Sequence, residues 1–105
     1  MKEITVQELK QKLDSQADVQ VIDVREQHEF DLVNIGAELI PMGTIMDNLD
    51  KLSRDKELII HCRSGGRSGQ VVQALEQMHG FTNAYNLKGG ILAWAAEIDT
   101  SLPTY

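Results

Sequence analysis

Short apolar stretches alternate with helical patterns along the whole of this chain, and that alternation limits the fold more than any other feature. Val19–Val24 is β-branched and apolar at most positions, and Leu58–His61 is a second stretch of the same kind. Both read as buried strands. Asn83–Asn86 reads as a further short strand, and Ala37–Ile40, just before Pro41, as a weak one. Between them the apolar spacing turns helical. Thr5-Val6-Gln7-Glu8 has the form of a capping box, and Val6, Leu9 and Leu13 follow at helical intervals, predicting a helix from about Val6 to Asp14. Glu26–Leu32 reads as a short charged helix, and Ile45, Leu49 and Leu52 mark one face of another. Arg67–His79 is the clearest helix, with Val71, Leu75 and Met78 as its inner stripe, Val72 beside them and Gly80 as its stop. Gly89-Gly90 opens a last helix carrying Ile91, Trp94, Ala95 and Ile98. Such alternation predicts an α/β fold, a mainly parallel sheet with helices on both faces. Ligands of such sheets bind beyond the carboxyl ends of the strands. The loops after Val24, His61 and Asn86 should therefore gather at one edge.

The 105 residues suit one domain with one real core, and 42% apolar residues plus 8 Gly fit a globular chain. There is no internal repeat and no linker-like stretch; Thr100–Tyr105 reads as a loose tail. With 10 basic against 16 acidic residues, the net charge is -6. A general binder of nucleic acid or of anionic membranes needs basic surface, so neither partner is expected. A small anion pocket needs only a few local donors and stays open. The longest apolar run, Ile91–Ala96, falls far short of the roughly 20 residues that span a bilayer. MKEITVQELKQ shows no secretory signal, so a cytoplasmic location is expected. Cys62 is the single cysteine, which rules out a disulfide within the chain, and His28, His61 and His79 lack metal-ligand spacing. No metal and no cofactor is expected.

Chemistry concentrates in His61-Cys62-Arg63-Ser64-Gly65-Gly66-Arg67-Ser68. Here a strand ends, a Gly-containing loop follows and a helix begins. Helix N-termini leave N–H groups unpaired and carry partial positive charge, so they hold anions. Gly65 and Gly66 let the backbone curl with its N–H groups inward. Arg63 and Arg67 add positive charge. All three effects favour the Cys62 thiolate, the nucleophilic form. An inert buried cysteine is the bland alternative for any single thiol, but Arg, Gly, Gly and Arg within five residues weigh against it. A nucleotide-phosphate loop would need a GKS or GKT ending that is absent. His61 neighbours Cys62 on a strand, so its ring should face away from the sulfur, as a structural histidine.

At this loop the sequence resembles the rhodanese family, as a stand-alone single rhodanese domain over nearly the whole chain. Cys62-Arg63-Ser64-Gly65-Gly66-Arg67-Ser68 resembles the family's C-R-x-G-x-R-S loop. Val21-Ile22-Asp23-Val24-Arg25-Glu26 resembles its strand ending in D-V-R-E, and Asn86-Leu87-Lys88-Gly89-Gly90-Ile91-Leu92-Ala93-Trp94 its N-L-x-G-G-x-x-x-W signature. Where the family usually shows H-I-P-G-A, this chain has Asn34-Ile35-Gly36-Ala37, without the His and the Pro. The resemblance implies a single rhodanese-like domain over residues 1–105, with a mainly parallel sheet of about five strands. It also implies a thiosulfate sulfurtransferase. Cys62 would take a sulfane sulfur as a persulfide and pass it to cyanide or a thiol. Arg63, Ser64, Gly65, Gly66, Arg67 and Ser68 would bind the substrate: the backbone N–H groups would stabilise the persulfide and the two arginines would hold the donor's anionic oxygens. Asp23 and Arg25 would support the site, chiefly as an ion pair bracing the loops. The implied partners are a small anionic sulfur donor such as thiosulfate and a thiol acceptor, either a small thiol or a thioredoxin-like protein.

Two other functions compete. Phosphatases and arsenate reductases of related fold also start from His-Cys and end on Arg, but the dual-specificity pattern places five residues between Cys and Arg, against four here, Arg63 to Gly66. A non-catalytic interaction or regulatory module often lacks the cysteine, and this chain keeps it with both arginines.

Overall fold

The strands β1 (Glu3–Ile4), β2 (Val19–Asp23), β3 (Glu38–Leu39), β4 (Glu57–His61) and β5 (Ala84–Leu87) form one sheet in the order β1-β5-β4-β2-β3, with every neighbouring pair parallel. The computed structural model describes residues 1–105. Side chains alternate across β4, the central strand. Leu58 and Ile60 join Ile22, Ile45, Val71, Val72 and Leu75 in one apolar cluster, while Ile59 joins Val6, Leu9, Leu87 and Trp94 in another. The first cluster lies under α3 (Gly66–His79) and a 3-10 segment, Met42–Lys51; the second lies under α1 (Val6–Asp14) and α4 (Gly90–Glu97). The helices therefore cover both faces, which is why β4 reads as an unbroken apolar run. Each fully buried Leu or Ile contributes about 1.5–3 kcal/mol relative to exposure. A short helix, α2 (Gln27–Leu32), follows β2.

Most expected elements are present within a residue or two. The capping box of α1 forms, with Thr5 Oγ1 accepting from the Glu8 N–H and Glu8 Oε1 from the Thr5 N–H. Four details differ. β1 carried no sequence signal; its two residues stand opposite Asn86 and Leu87 and are held by β5. The helix expected around Ile45–Leu52 is the 3-10 segment, broken at Asn48 (φ -126°), whose side-chain amide donates to the Thr44 carbonyl and competes with the backbone ladder. Met78, expected inside, is 74% exposed, because Gly80 turns the chain and Phe81 fills the inner position instead. Leu13 is likewise exposed near the end of α1.

No helix is long and apolar enough to cross a membrane. The segment departing from the family pattern closes as an Asx turn, with Asn34 Oδ1 accepting from the Gly36 N–H at 2.9 Å and Asn34 Nδ2 donating to the Phe30 carbonyl.

Candidate active site

Parallel strands end at one edge, and the loops after β2, β4 and β5 meet there. Cys62 follows β4 directly and is buried. The chain then turns at Gly65, whose φ of +109° only glycine adopts readily, and enters α3. This turn aims donors at the sulfur. The Gly65 N–H donates to Cys62 Sγ at 3.1 Å and the Ser68 N–H at 3.4 Å, and Ser68 Oγ lies 3.2 Å away. Burial pushes the Cys62 thiol up, but hydrogen bonds from Ser68, then Gly65 and Ser64, outweigh it and hold the thiol below its ordinary range.

The loop's carbonyls point the other way, to the start of α4. The Ile91 N–H donates to the Cys62 carbonyl at 3.0 Å, and the Leu92 N–H to the Arg63 carbonyl at 3.1 Å. This approach requires Gly90: a Cβ there would stand 2.5 Å from the Arg63 carbonyl oxygen and 2.6 Å from that of Cys62. The Gly-Gly pair thus lets one helix N-terminus take the loop's carbonyls while the N–H groups of the other face the sulfur. Asn86, on β5 and 3% exposed, reaches the start of α3, with Nδ2 3.0 Å from the Gly65 carbonyl and Oδ1 2.5 Å from Ser68 Oγ.

Both loop arginines reach this edge, and both are engaged within the chain. Arg67 makes a bidentate pair with Glu29 at 2.7 and 2.8 Å. Arg63 donates through Nε (2.7 Å) and Nη2 to the Tyr105 carbonyl. The Tyr105 hydroxyl donates to Glu29 Oε2 at 2.7 Å and accepts from Arg25 Nη1 at 2.9 Å. The last residues, read from the sequence as a loose tail, therefore end in the site's own network. The Arg67 guanidinium beside Glu29 holds its carboxyl far below the usual carboxylate range, against the opposing effect of burial.

Asp23 and Arg25 form a fully buried pair beneath this layer. Arg25 Nε and Nη2 reach the Asp23 carboxylate at 2.8–3.1 Å, Nη2 also donates to the Val33 carbonyl at 2.7 Å, and Nη1 reaches the Glu29 carbonyl at 3.4 Å. One guanidinium thus ties the end of β2 to the middle of α2 at Glu29 and to Val33, which caps its C-terminus. None of its hydrogen bonds goes to Cys62. Sequence reasoning missed Glu29, Asn86 and Tyr105. For Glu29 the available signal was its place three residues after Glu26, where it closes a second capping box; Tyr105 had no local signal.

His61 is fully buried, with Nδ1 3.3 Å from the Cys62 carbonyl and Nε2 3.7 Å from Asp23 but hydrogen-bonded to nothing. No hydrogen bond joins its ring to the sulfur. Burial pushes its pKa down, outweighing the attraction of Asp23, so the ring is neutral at pH 7. A depressed folded pKa means the unfolded chain binds the proton first as pH falls. Stability is complete above the unfolded value of about 6.5 and is lost below it, by up to about 1.4 kcal/mol per pH unit. Urea unfolding at pH 7, 6 and 5 should show this slope, and His61→Asn should flatten it. Equal slopes in both proteins would contradict it.

A family model described as Rhodanese-like domain matches residues 5–97. Among curated proteins, the chain is similar to the "Probable adenylyltransferase/sulfurtransferase MoeZ" of Mycobacterium tuberculosis, 39% identical over 105 residues. That match covers 97% of this chain but 26% of MoeZ, so the chain spans about a quarter of that relative's length. It is also similar to a sulfurtransferase of Allochromatium vinosum, 37% identical over 94 residues, covering 89% of this chain and 87% of that protein. Among solved structures, a rhodanese-like domain protein from Staphylococcus aureus superposes with a TM-score of 0.84 at 42% identity, covering 100% of this chain and 99% of that one.

Proposed function

The chain belongs to the rhodanese-like domain family, and on that premise we propose that it is a sulfurtransferase that carries sulfur as a persulfide on Cys62, with thiosulfate as donor and a thiol or cyanide as acceptor. The observation that carries this reading is the set of donors around one buried sulfur: the Gly65 and Ser68 N–H groups and the Ser68 hydroxyl. All three favour the thiolate before reaction, and the two N–H groups favour an anionic persulfide after it.

The thiolate attacks the outer sulfur of thiosulfate. A new S–S bond forms at Cys62 Sγ, the S–S bond of thiosulfate breaks, and its electron pair leaves with sulfite. The acceptor then attacks the carried sulfur. The Cys62 S–S bond breaks, its pair returns to Sγ, and cyanide departs as thiocyanate or a thiolate as a persulfide. No proton, oxidant or cofactor is needed. Small thiols and thioredoxin-like proteins fit the acceptor role, and a reducing cytoplasm would keep Cys62 free to act. Relatives named as sulfurtransferases that match most of this chain support the same chemistry. The four residues between Cys62 and Arg67 favour sulfur over phosphate or arsenate, since a shorter loop leaves less room for a tetrahedral oxyanion.

Arg67 is half-buried, so a donor's oxygens can share its guanidinium with Glu29. Arg67→Ala should raise the apparent KM for thiosulfate about tenfold, the worth of one lost charge-assisted hydrogen bond, and leave that for cyanide unchanged. Steady-state thiocyanate formation checks this. An unchanged thiosulfate KM would remove Arg67 from donor binding.

A further inference from the structure

Asn86 sits where two requirements of the Cys62 loop meet. Its orientation has only one solution. The Gly65 carbonyl can only accept, so the atom 3.0 Å from it is the amide nitrogen, and the carbonyl oxygen Oδ1 faces Ser68 Oγ at 2.5 Å. Oδ1 can only accept as well, so this short contact needs the Ser68 proton. Ser68 has one hydroxyl proton and two possible takers, Asn86 Oδ1 and, at 3.2 Å, Cys62 Sγ.

We propose that Asn86 is a positioning residue that competes with Cys62 for the single Ser68 proton and so sets when the sulfur receives it. In the thiol form the Cys62 S–H donates to Ser68 Oγ, and Ser68 donates on to Asn86. When the thiolate forms, the Ser68 hydroxyl turns to Sγ and Oδ1 loses its donor. When Sγ is joined to a second sulfur it carries no charge, and the Ser68 proton returns to Asn86. When an acceptor thiolate takes that second sulfur, the electron pair of the breaking bond returns to Sγ and the Ser68 hydroxyl turns to meet it. No covalent O–H bond breaks at any stage; the hydroxyl only rotates. Gly65 keeps its carbonyl seated throughout through the Asn86 amide and the Gly69 N–H. The last two steps rest on the persulfide reading above. The competition itself does not, because it belongs to the resting thiol and thiolate.

The test is the pH dependence of Cys62 alkylation by iodoacetamide, which needs no turnover. Asn86→Leu removes the rival acceptor, so the alkylation midpoint should fall, and the rate one pH unit below the wild-type midpoint should rise about threefold. Ser68→Ala should raise the midpoint. The decisive arm is the double variant: on a Ser68→Ala background, Asn86→Leu should move the midpoint no further. Asn86→Ala serves the same comparison if the leucine variant does not fold. An unchanged or raised midpoint in the Asn86 variants would overturn the proposal. So would an equal fall with and without Ser68, which would place the effect in the loop backbone. If alkylation behaves as expected while no sulfur is transferred, the competition stands and the sulfurtransferase reading alone fails.

Discussion

Cys62→Ser is expected to reduce sulfur transfer by at least about three orders of magnitude while leaving the fold unchanged. The substituted hydroxyl is not ionised near neutral pH and cannot form the S–S bond on which both half-reactions depend. The fold should tolerate it because serine is smaller than cysteine by little, and its oxygen faces the same donors, the Gly65 and Ser68 N–H groups and the Ser68 hydroxyl. The apolar neighbours of Cys62 in its cluster, including Val71 and Ile60, stay packed. Thiocyanate formation and a thermal melt of the same preparation check both halves. Retained turnover with an unchanged melt would contradict the role given to Cys62.

Arg25→Ala should be the most damaging substitution for stability. Its guanidinium is wholly buried, pairs with an equally buried Asp23, and also serves the carbonyls of Val33 and Glu29 and the Tyr105 hydroxyl. Removing it leaves a carboxylate in the interior without its counter-charge, a loss of about 3–5 kcal/mol in comparable buried pairs. For a domain of this size that lowers the melting temperature by more than about 10 °C. Arg25→Lys should recover only part, because one ammonium cannot match the planar fork that meets Asp23 and Val33 together. Differential scanning calorimetry reads the result, and a shift below about 2 °C for the alanine variant would show that the pair contributes little.

The parts legible in the sequence are those set by local pattern. The β4 run ending at His61, the glycines after Cys62 and the helical spacing from Val71 to Leu75 each announce themselves within ten residues. Together they place the sulfur at a strand end and a helix start. What stayed hidden depends on contacts distant in sequence. β1 is two residues long and exists because β5 offers its edge. Glu29 looked like one more charge on a short polar helix, yet it meets Arg67 38 residues later. Tyr105 looked like the end of a tail, yet its ring and hydroxyl join Arg25, Arg63 and Glu29. Arg63 and Arg67 looked like two charges beside the sulfur, and the partners they also hold, the Tyr105 carbonyl and Glu29, come from other segments. Met78 obeyed the helical period, but the period alone did not show that Phe81 would take its place beyond Gly80.

The central claim is that Cys62 carries sulfur. The most direct test is the intact mass of the reduced protein after incubation with thiosulfate and, in parallel, with a low-molecular-weight persulfide, before and after adding cyanide. The account predicts a gain of one sulfur atom, absent in Cys62→Ser, and its complete removal by cyanide with release of one equivalent of thiocyanate. A protein that gains no sulfur from either donor while its thiol remains open to alkylation would contradict it.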